Sequence, residues 1–190
     1  MDKVKPARDQ NPRVLRRERW WLFSEVMPQL RAICSGIERY IVTPETSKHR
    51  IFSFLDSSFL AEHPLIAIGV DDAFFLGVLS SSVHCSWSIA AGGTLEDRPR
   101  YNKRICFETF PFPNTEARLV DSISAIAEQL DTHRKRQQAA HPDLTLTGMY
   151  NVLEKLRSGE PLSAKERAIH EHGLVSVLRQ LHDDLDAAVL

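Results

Sequence analysis

The chain has 190 residues, 43% hydrophobic and 26% charged, which is ordinary for a soluble chain and leaves room for one medium domain or two small ones. No apolar run approaches the roughly 20 residues of a membrane span, and the first 20 residues, with 7 basic and 3 acidic groups, lack the apolar segment of a signal peptide, which argues against membrane-spanning and exported classes. The net charge of −1 conceals an uneven distribution: residues 1–104 hold 15 Lys+Arg against 12 Asp+Glu, a balance of +3, whereas residues 105–190 hold 9 against 13, a balance of −4, so the first half is the one suited to face a polyanion.

Met1 to Gln10 reads as a lead-in without periodicity, and Arg13 to Phe23 mixes arginines with Leu15, Trp20, Trp21 and Phe23. Pro28 is placed to start a helix carrying Leu30, Ile33 and Ile37, weakened by Gly36. Tyr40 to Thr43 predicts a strand closed by Pro44, and Ile51, Phe52 and Phe54 predict a second. Leu65 to Val70 reads as a short buried strand. Asp71-Asp72 then supplies an N-cap for a helix with Phe74, Phe75, Val78, Leu79 and Ser82 on one face, continuing toward Trp87 and ending at Gly92-Gly93. Thr94 to Lys103 is a dense polar loop, and Arg104 to Thr109 predicts a strand. Phe110-Pro111-Phe112-Pro113 interrupts both helix and central strand and marks the expected domain boundary.

Beyond it the periodicity is helical. Leu119, Ile123, Ile126, Ala127 and Leu130 form one stripe, and Met149, Val152, Leu153 and Leu156 a second, ended by Ser158-Gly159. Leu174, Val177, Leu178, Leu181 and Leu185 form a third behind a capping-box spacing from Ser163 to Glu166. The expected fold is α+β, a small mixed α/β subdomain followed by a C-terminal helical bundle: residues 1–113 (helical lead-in 1–38, α/β part 39–113), then 114–190. Trp20, Trp21, Trp87 and His84 are expected in the interior. No internal repeat or low-complexity tract is present.

Catalytic constellations do not assemble. An amino-methyltransferase needs a Gly-rich turn for S-adenosylmethionine and an Asn/Asp-Pro-Pro-aromatic loop; Gly92-Gly93 is the only adjacent glycine pair, and there is no Pro-Pro. Pro142-Asp143 with Glu154-Lys155 lacks the residue that a Pro-Asp…Glu-x-Lys nuclease places between Glu and Lys. In His170-Glu171-His172 the two histidines lie about 200° apart around a helix, so they cannot share a metal as in HExxH. Cys34, Cys85 and Cys106 are odd in number and form no CxxC, so free thiols and a cytoplasmic location are expected, and His84-Cys85 with Cys106 reads as packing. The residues point to no self-contained enzyme and no metal.

Several stretches in register carry a resemblance. They are Val4, Lys5, Pro6, Arg8 and Asp9 with Arg19-Trp20-Trp21; Arg39 to Pro44 with Lys48-His49-Arg50; Gly77 to Ser81 with His84 and Trp87; Arg98, Arg100 and Tyr101; and Phe107 to Pro113. Their order resembles the target-recognition region of MmeI-like (type IIL) restriction–modification enzymes. Tyr150-Asn151 and Leu181-His182 with Leu185, Asp186, Ala188 and Val189 resemble that family's C-terminal helical segment. The resemblance implies a recognition module for double-stranded DNA that works with an upstream adenine-N6 methyltransferase domain. S-adenosylmethionine, and Mg2+ if a nuclease accompanies it, would belong to the parent enzyme. It also implies that the start at Met1 and the early stop are those of a fragment.

DNA chemistry then sorts the polar residues. Arg16, Arg17, Lys48, Arg50, Arg100, Lys103 and Arg104 are candidates for phosphate contacts, which supply affinity without sequence information. Base reading needs side chains projected into the major groove. Glu96 and Arg98, two residues apart in the Thr94–Lys103 stretch, are the candidates: arginine grips guanine O6 and N7, and glutamate accepts from cytosine N4. In the family resembled, specificity positions lie in this stretch, ahead of the Arg-x-Arg-Tyr element. The rival reading is a helical protein-interaction module docking on a partner subunit without DNA contact, and an isolated enzyme ranks third. Salt-sensitive DNA binding, DNA-free association and cofactor uptake separate the three.

Overall fold

Tyr40, Ile41 and Val42 are aromatic or β-branched, and the structure places them at the centre of a sheet. It is a computed structural model that describes residues 4–21, 28–95 and 98–190. Strand β1 (Arg39–Pro44) pairs antiparallel with β2 (Ser53–Asp56) on one side and β3 (Leu65–Ile68) on the other. Ile41 sits opposite both Phe54 and Ile68, and Tyr40, Ile41 and Phe52 are fully buried. β3 is an edge strand, and only Ile68 of its four residues is buried, so the apolar run Leu65–Val70 is less enclosed than its composition predicts.

Ahead of the sheet lie the short helices α1 (Val4–Asp9), α2 (Val14–Glu18) and α3 (Pro28–Cys34). Proline opens α3, where its missing N–H costs nothing. Trp20 and Trp21 meet edge to face at 5.9 Å, but Trp21 is 63% exposed and Trp87 37%, so the expected burial of the tryptophans fails for these two. Phe23 lies outside the described residues.

After the sheet, Asp72 caps α4 (Ala73–Ser80) by accepting from Phe74 N at 2.8 Å. The single helix expected to reach Trp87 is two: Ser81 adopts an extended backbone, caps α5 (Ser82–Gly92), and the pair bends by 65°. α4 is buried almost throughout, and among the described residues no single helix is long and apolar enough to cross a membrane. The polar loop expected at 94–103 contains a short hairpin, β4 (Thr94–Leu95) and β5 (Arg98–Pro99).

The strand expected at Arg104–Thr109 is instead a π-helical turn, Lys103–Phe107. Asn102 starts it: its side chain accepts from Arg104 N at 3.1 Å and its carbonyl from Ile105 N at 3.1 Å. Glu108 N donates to Lys103 O at 3.0 Å, which closes the wide turn. Cys106 is fully buried, with its thiol toward Ser88 O of α5 at 3.6 Å. The apolar run 105–107 is thus accommodated by a turn that buries Cys106 against α5.

Four helices follow: α6 (Ala117–Ala140), α7 (Leu146–Ser158), α8 (Ala164–Gly173) and α9 (Val175–Val189). Gly159, at φ 75°, ends α7, and Ser163 and Glu166 make the reciprocal capping box of α8. The third helix expected is α8 plus α9, broken where Leu174 takes the left-handed conformation at φ 42°. The architecture is α+β, a small mixed part followed by C-terminal helices.

The helices pack onto the mixed part. Phe74, Val78 and Phe110 share one buried cluster with Ile123, Leu130, Met149 and Leu178, and Ala127 of α6 joins the cluster of Ile41, Phe54, Leu76 and Leu79. Gly77 permits this approach, because a Cβ there would lie 2.5 Å from Ile123 Cγ2. A polar seam reinforces it. Asp131 Oδ1 accepts from Ser53 Oγ at 2.7 Å, Arg134 donates to Phe52 O at 2.7 Å, and Asp186 Oδ1 accepts from Ser82 N at 2.7 Å. Arg39 pairs with Glu128 and stacks over Phe54 with its Cζ 3.7 Å from the ring centroid.

Candidate nucleic-acid interface

The hairpin and the π turn carry the exposed cations that the sequence singles out. Leu95 pairs with Arg98 and Thr94 with Pro99, bracketing Glu96 and Asp97. Glu96, half of the expected base-reading pair, lies outside the described residues; Arg98 is exposed at the start of β5. Arg100 N donates to Gly93 O at 3.1 Å and its side chain pairs with Glu45 at 2.7 Å, while Glu45 also meets His63 at 3.1 Å. Gly92 has to be glycine here: a Cβ would lie 2.2 Å from Arg100 O. Lys103 and Arg104 are exposed on the π turn. A groove of about 580 Å3 runs beside this segment, lined by Arg100, Asn102 and Lys103 together with Glu45, His63 and the apolar Ile33 and Leu65. The structure therefore brings Arg98, Arg100, Lys103 and Arg104 together on consecutive elements.

The other candidates are placed differently. Arg16 and Arg17 sit on α2, where Arg17 donates to Asn11 O at 2.8 Å. Lys48 turns toward α7, pairing with Glu154 at 2.6 Å and with Asn151 Oδ1 at 3.0 Å. Neighbouring His49 places its Nε2 2.8 Å from the same Asn151 oxygen. Arg50 points inward. Its Nη1 donates to Thr43 Oγ1 at 3.1 Å and to Pro44 O, and its Nη2 to Pro99 O at 3.2 Å. Burial lowers its pKa from the usual guanidinium value.

Beneath the hairpin lies an aromatic support. Tyr101, almost fully buried, packs edge-on against Phe52 with centroids 5.4 Å apart. Its hydroxyl lies 3.0 Å from Nε2 of the interior His84, so the expectation for that histidine holds. Burial, with a smaller push from Arg50, takes the His84 pKa down to about 4, and burial raises that of Tyr101. His84 is therefore neutral near pH 7 and serves the packing. Among the described residues, no group of three or more His, Cys, Asp or Glu is arranged to hold a metal ion.

Two residues that sequence reasoning missed shape this site. Asn102 initiates the π turn, and its position just ahead of Lys103-Arg104 was a readable capping signal. Glu45 anchors Arg100 across 55 residues, a pairing that no local pattern announces.

Known proteins share parts of this sequence and fold. The family model described as MmeI, target recognition domain, matches residues 2–114. DNA methyltransferase A of Bacillus subtilis (strain 168) is 35% identical over 81 residues, which are 42% of this chain and 8% of that protein. The solved structure of the type IIL restriction–modification enzyme MmeI in complex with DNA is similar in fold, with a TM-score of 0.60 and 24% identity, over 80% of this chain and 18% of that one. The chain thus spans less than a fifth of the length of either protein. With more than half of its residues inside the family model, the chain belongs to the family of MmeI target recognition domains.

Proposed function

We propose that this chain is the sequence-specific double-stranded DNA recognition module of a restriction–modification adenine-N6 DNA methyltransferase, supplying target specificity and no catalysis. The observation that carries the reading is the set of exposed cations Arg98, Arg100, Lys103 and Arg104, held on the hairpin and π turn inside residues 2–114. Arg100, Lys103 and Arg104, with Arg16 and Arg17 of α2, contact phosphates and set affinity; Arg98, with Glu96, reads a G·C pair. A partial relative is a DNA methyltransferase and the fold neighbour was solved with DNA, which supports the assignment to such an enzyme.

S-adenosylmethionine is assigned to the parent enzyme, and so is Mg2+ if a nuclease is attached. The residues here do not fit an S-adenosylmethionine site: Gly93 takes φ 70° to end α5, and Gly92 lets Arg100 O approach, so the glycine pair does not form a cofactor-binding turn. Residues 1–113 form the recognition part and 114–190 a helical buttress behind it, in a protein working in the cytoplasm. A second reading has one observation in its favour. Leu174 and Val177 are exposed beside a groove of about 440 Å3 between α6 and α9, a surface that would suit a partner subunit.

The test is fluorescence anisotropy with randomised duplexes at low and physiological salt, followed by sequencing of the bound fraction. Salt-sensitive binding with enrichment of a short motif is the expected result. Binding without enrichment would leave only the phosphate contacts standing. No binding at low salt, with association to a methyltransferase subunit, would favour the second reading.

A further inference from the structure

We infer that Arg50 is a positioning residue for the base-reading hairpin: it ties the end of β1 to the end of β5 and so sets where Arg98 meets the duplex. The inference rests on the DNA-recognition reading and assigns Arg50 a task other than phosphate contact.

The hairpin cannot hold its own position. It has two residue pairs, Thr94 with Pro99 and Leu95 with Arg98, and an isolated two-stranded ribbon is marginal in water even when longer. Pro99 has no N–H to contribute. The anchoring must therefore come from outside the ribbon: Tyr101 N donates to Glu45 O at 2.7 Å beside a Thr46–Arg100 bridge, and Arg50 supplies the side-chain tie to Pro99. Its Nη1 donates to Thr43 Oγ1 at 3.1 Å and to Pro44 O, at the end of β1, and its Nη2 donates to Pro99 O at 3.2 Å. One planar group thus spans two segments that lie more than 50 residues apart in sequence. The guanidinium also stacks over Tyr101, with its Cζ 5.0 Å from the ring centroid, and Tyr101 is in turn held by His84 of α5 at 3.0 Å.

This geometry uses what arginine offers and lysine does not: a flat, forked donor with an apolar face. It also directs the guanidinium nitrogens at protein carbonyls and a hydroxyl. Base discrimination depends on holding the reading side chain within a fraction of an ångström, whereas attraction to phosphates tolerates displacement.

The experiment compares the whole chain with R50Q, R50K and R104A in three readouts: motif enrichment from randomised duplexes, the slope of log affinity against log salt, and amide exchange at Arg100, whose N–H bonds to Gly93 O at 3.1 Å. R104A is expected to lower the salt slope by about one. R50Q and R50K should keep the slope, lose about tenfold in discrimination at the base pair read by Arg98, and exchange the Arg100 amide faster. A slope reduced as in R104A would overturn the inference by making Arg50 a phosphate contact. Unchanged discrimination and exchange in R50Q, or full retention of both in R50K, would overturn it as well. Should R50Q fail to fold, T43V removes one acceptor of the same guanidinium and is judged by the same readouts. If the unaltered chain enriches no motif, the DNA-recognition reading fails, while Arg100 exchange still decides whether Arg50 anchors the hairpin.

Discussion

Asp131 of α6 reaches across 77 residues of sequence to accept the backbone N–H of Phe54 at 3.2 Å. The same oxygen takes Ser53 Oγ at 2.7 Å, and Lys135 approaches the other at 2.6 Å. Asp131 and Phe54 are both buried, so this carboxylate is a buried polar link between sheet and helices. The seam joins the C-terminal helices to the mixed part.

Replacing Asp131 with alanine would leave a buried N–H unpaired and cost about 2–3 kcal/mol. For a chain of this size the melting temperature should fall by roughly 5–10 °C. Thermal unfolding followed by circular dichroism measures it. A drop of a degree or less would mean that water or a shifted Ser53 replaces the link, and the seam would then contribute little.

Two buried histidines should make stability depend on pH. His182 Nε2 lies 2.7 Å from the Tyr150 hydroxyl, and burial, then Arg134 and Arg157, take its pKa down to about 3. His84 is lowered to about 4. Both bind protons more readily when unfolded, so stability is full above about pH 6.5 and declines as pH falls toward these values. Between pH 7 and 5 each should cost on the order of 2 kcal/mol. Glu166, lowered to about 2 chiefly by Lys155 and the Ser163 N–H, acts in the same sense at lower pH: its contribution is present above about pH 4.5 and is lost as pH falls toward 2. Urea titrations at pH 7 and 5 check the slope. Its persistence unchanged in both H84Q and H182Q would rule the histidines out as its source.

Local chemistry made part of this legible. The capping box at Ser163 and Glu166, the stop at Gly159 and the β-branched run of β1 are each decided within a few residues, and all are where the sequence puts them. The failures are tertiary. Cys106 sits in a short apolar run that reads as a strand, but its burial against α5 is satisfied by a turn. The apolar residues of α4 are followed in α5 by Val83, Trp87 and Ile89, which are exposed, so composition carries on across Ser81 and gives no sign of the break. In the candidate site the cluster of cations was readable, since Arg98 to Arg104 are close in sequence. The direction of Arg50 and Lys48 was not: their acceptors are Pro99, Asn151 and Glu154, and only the fold brings those near.

Gly77 offers a test of how closely α4 and α6 approach. An alanine Cβ would lie 2.5 Å from Ile123 Cγ2 and 3.2 Å from Ile123 O, and the backbone oxygen cannot rotate away. Overpacking of this kind costs about 1–3 kcal/mol, partly offset by about 1 kcal/mol of improved helix propensity. G77A should therefore lower the urea midpoint. A raised midpoint would mean that the helices stand further apart.

The proposed base reading by Glu96 and Arg98 is open to a charge swap. Arg98 is exposed at the start of β5 and Glu96 lies two residues before it. The double variant Glu96→Lys with Arg98→Asp leaves the net charge of the hairpin unchanged, so the phosphate contribution and the salt slope should stay as they are. The donors and acceptors offered to the base pair are reversed, and a well-formed contact discriminates by about 1–3 kcal/mol. Selection from randomised duplexes should then return a motif altered at one base pair, with overall affinity within a fewfold of the parent. Return of the parental motif would make the two residues a local ion pair that fixes the hairpin, and base reading would have to move to other residues of the hairpin or to the groove lined by Asn102 and Lys103.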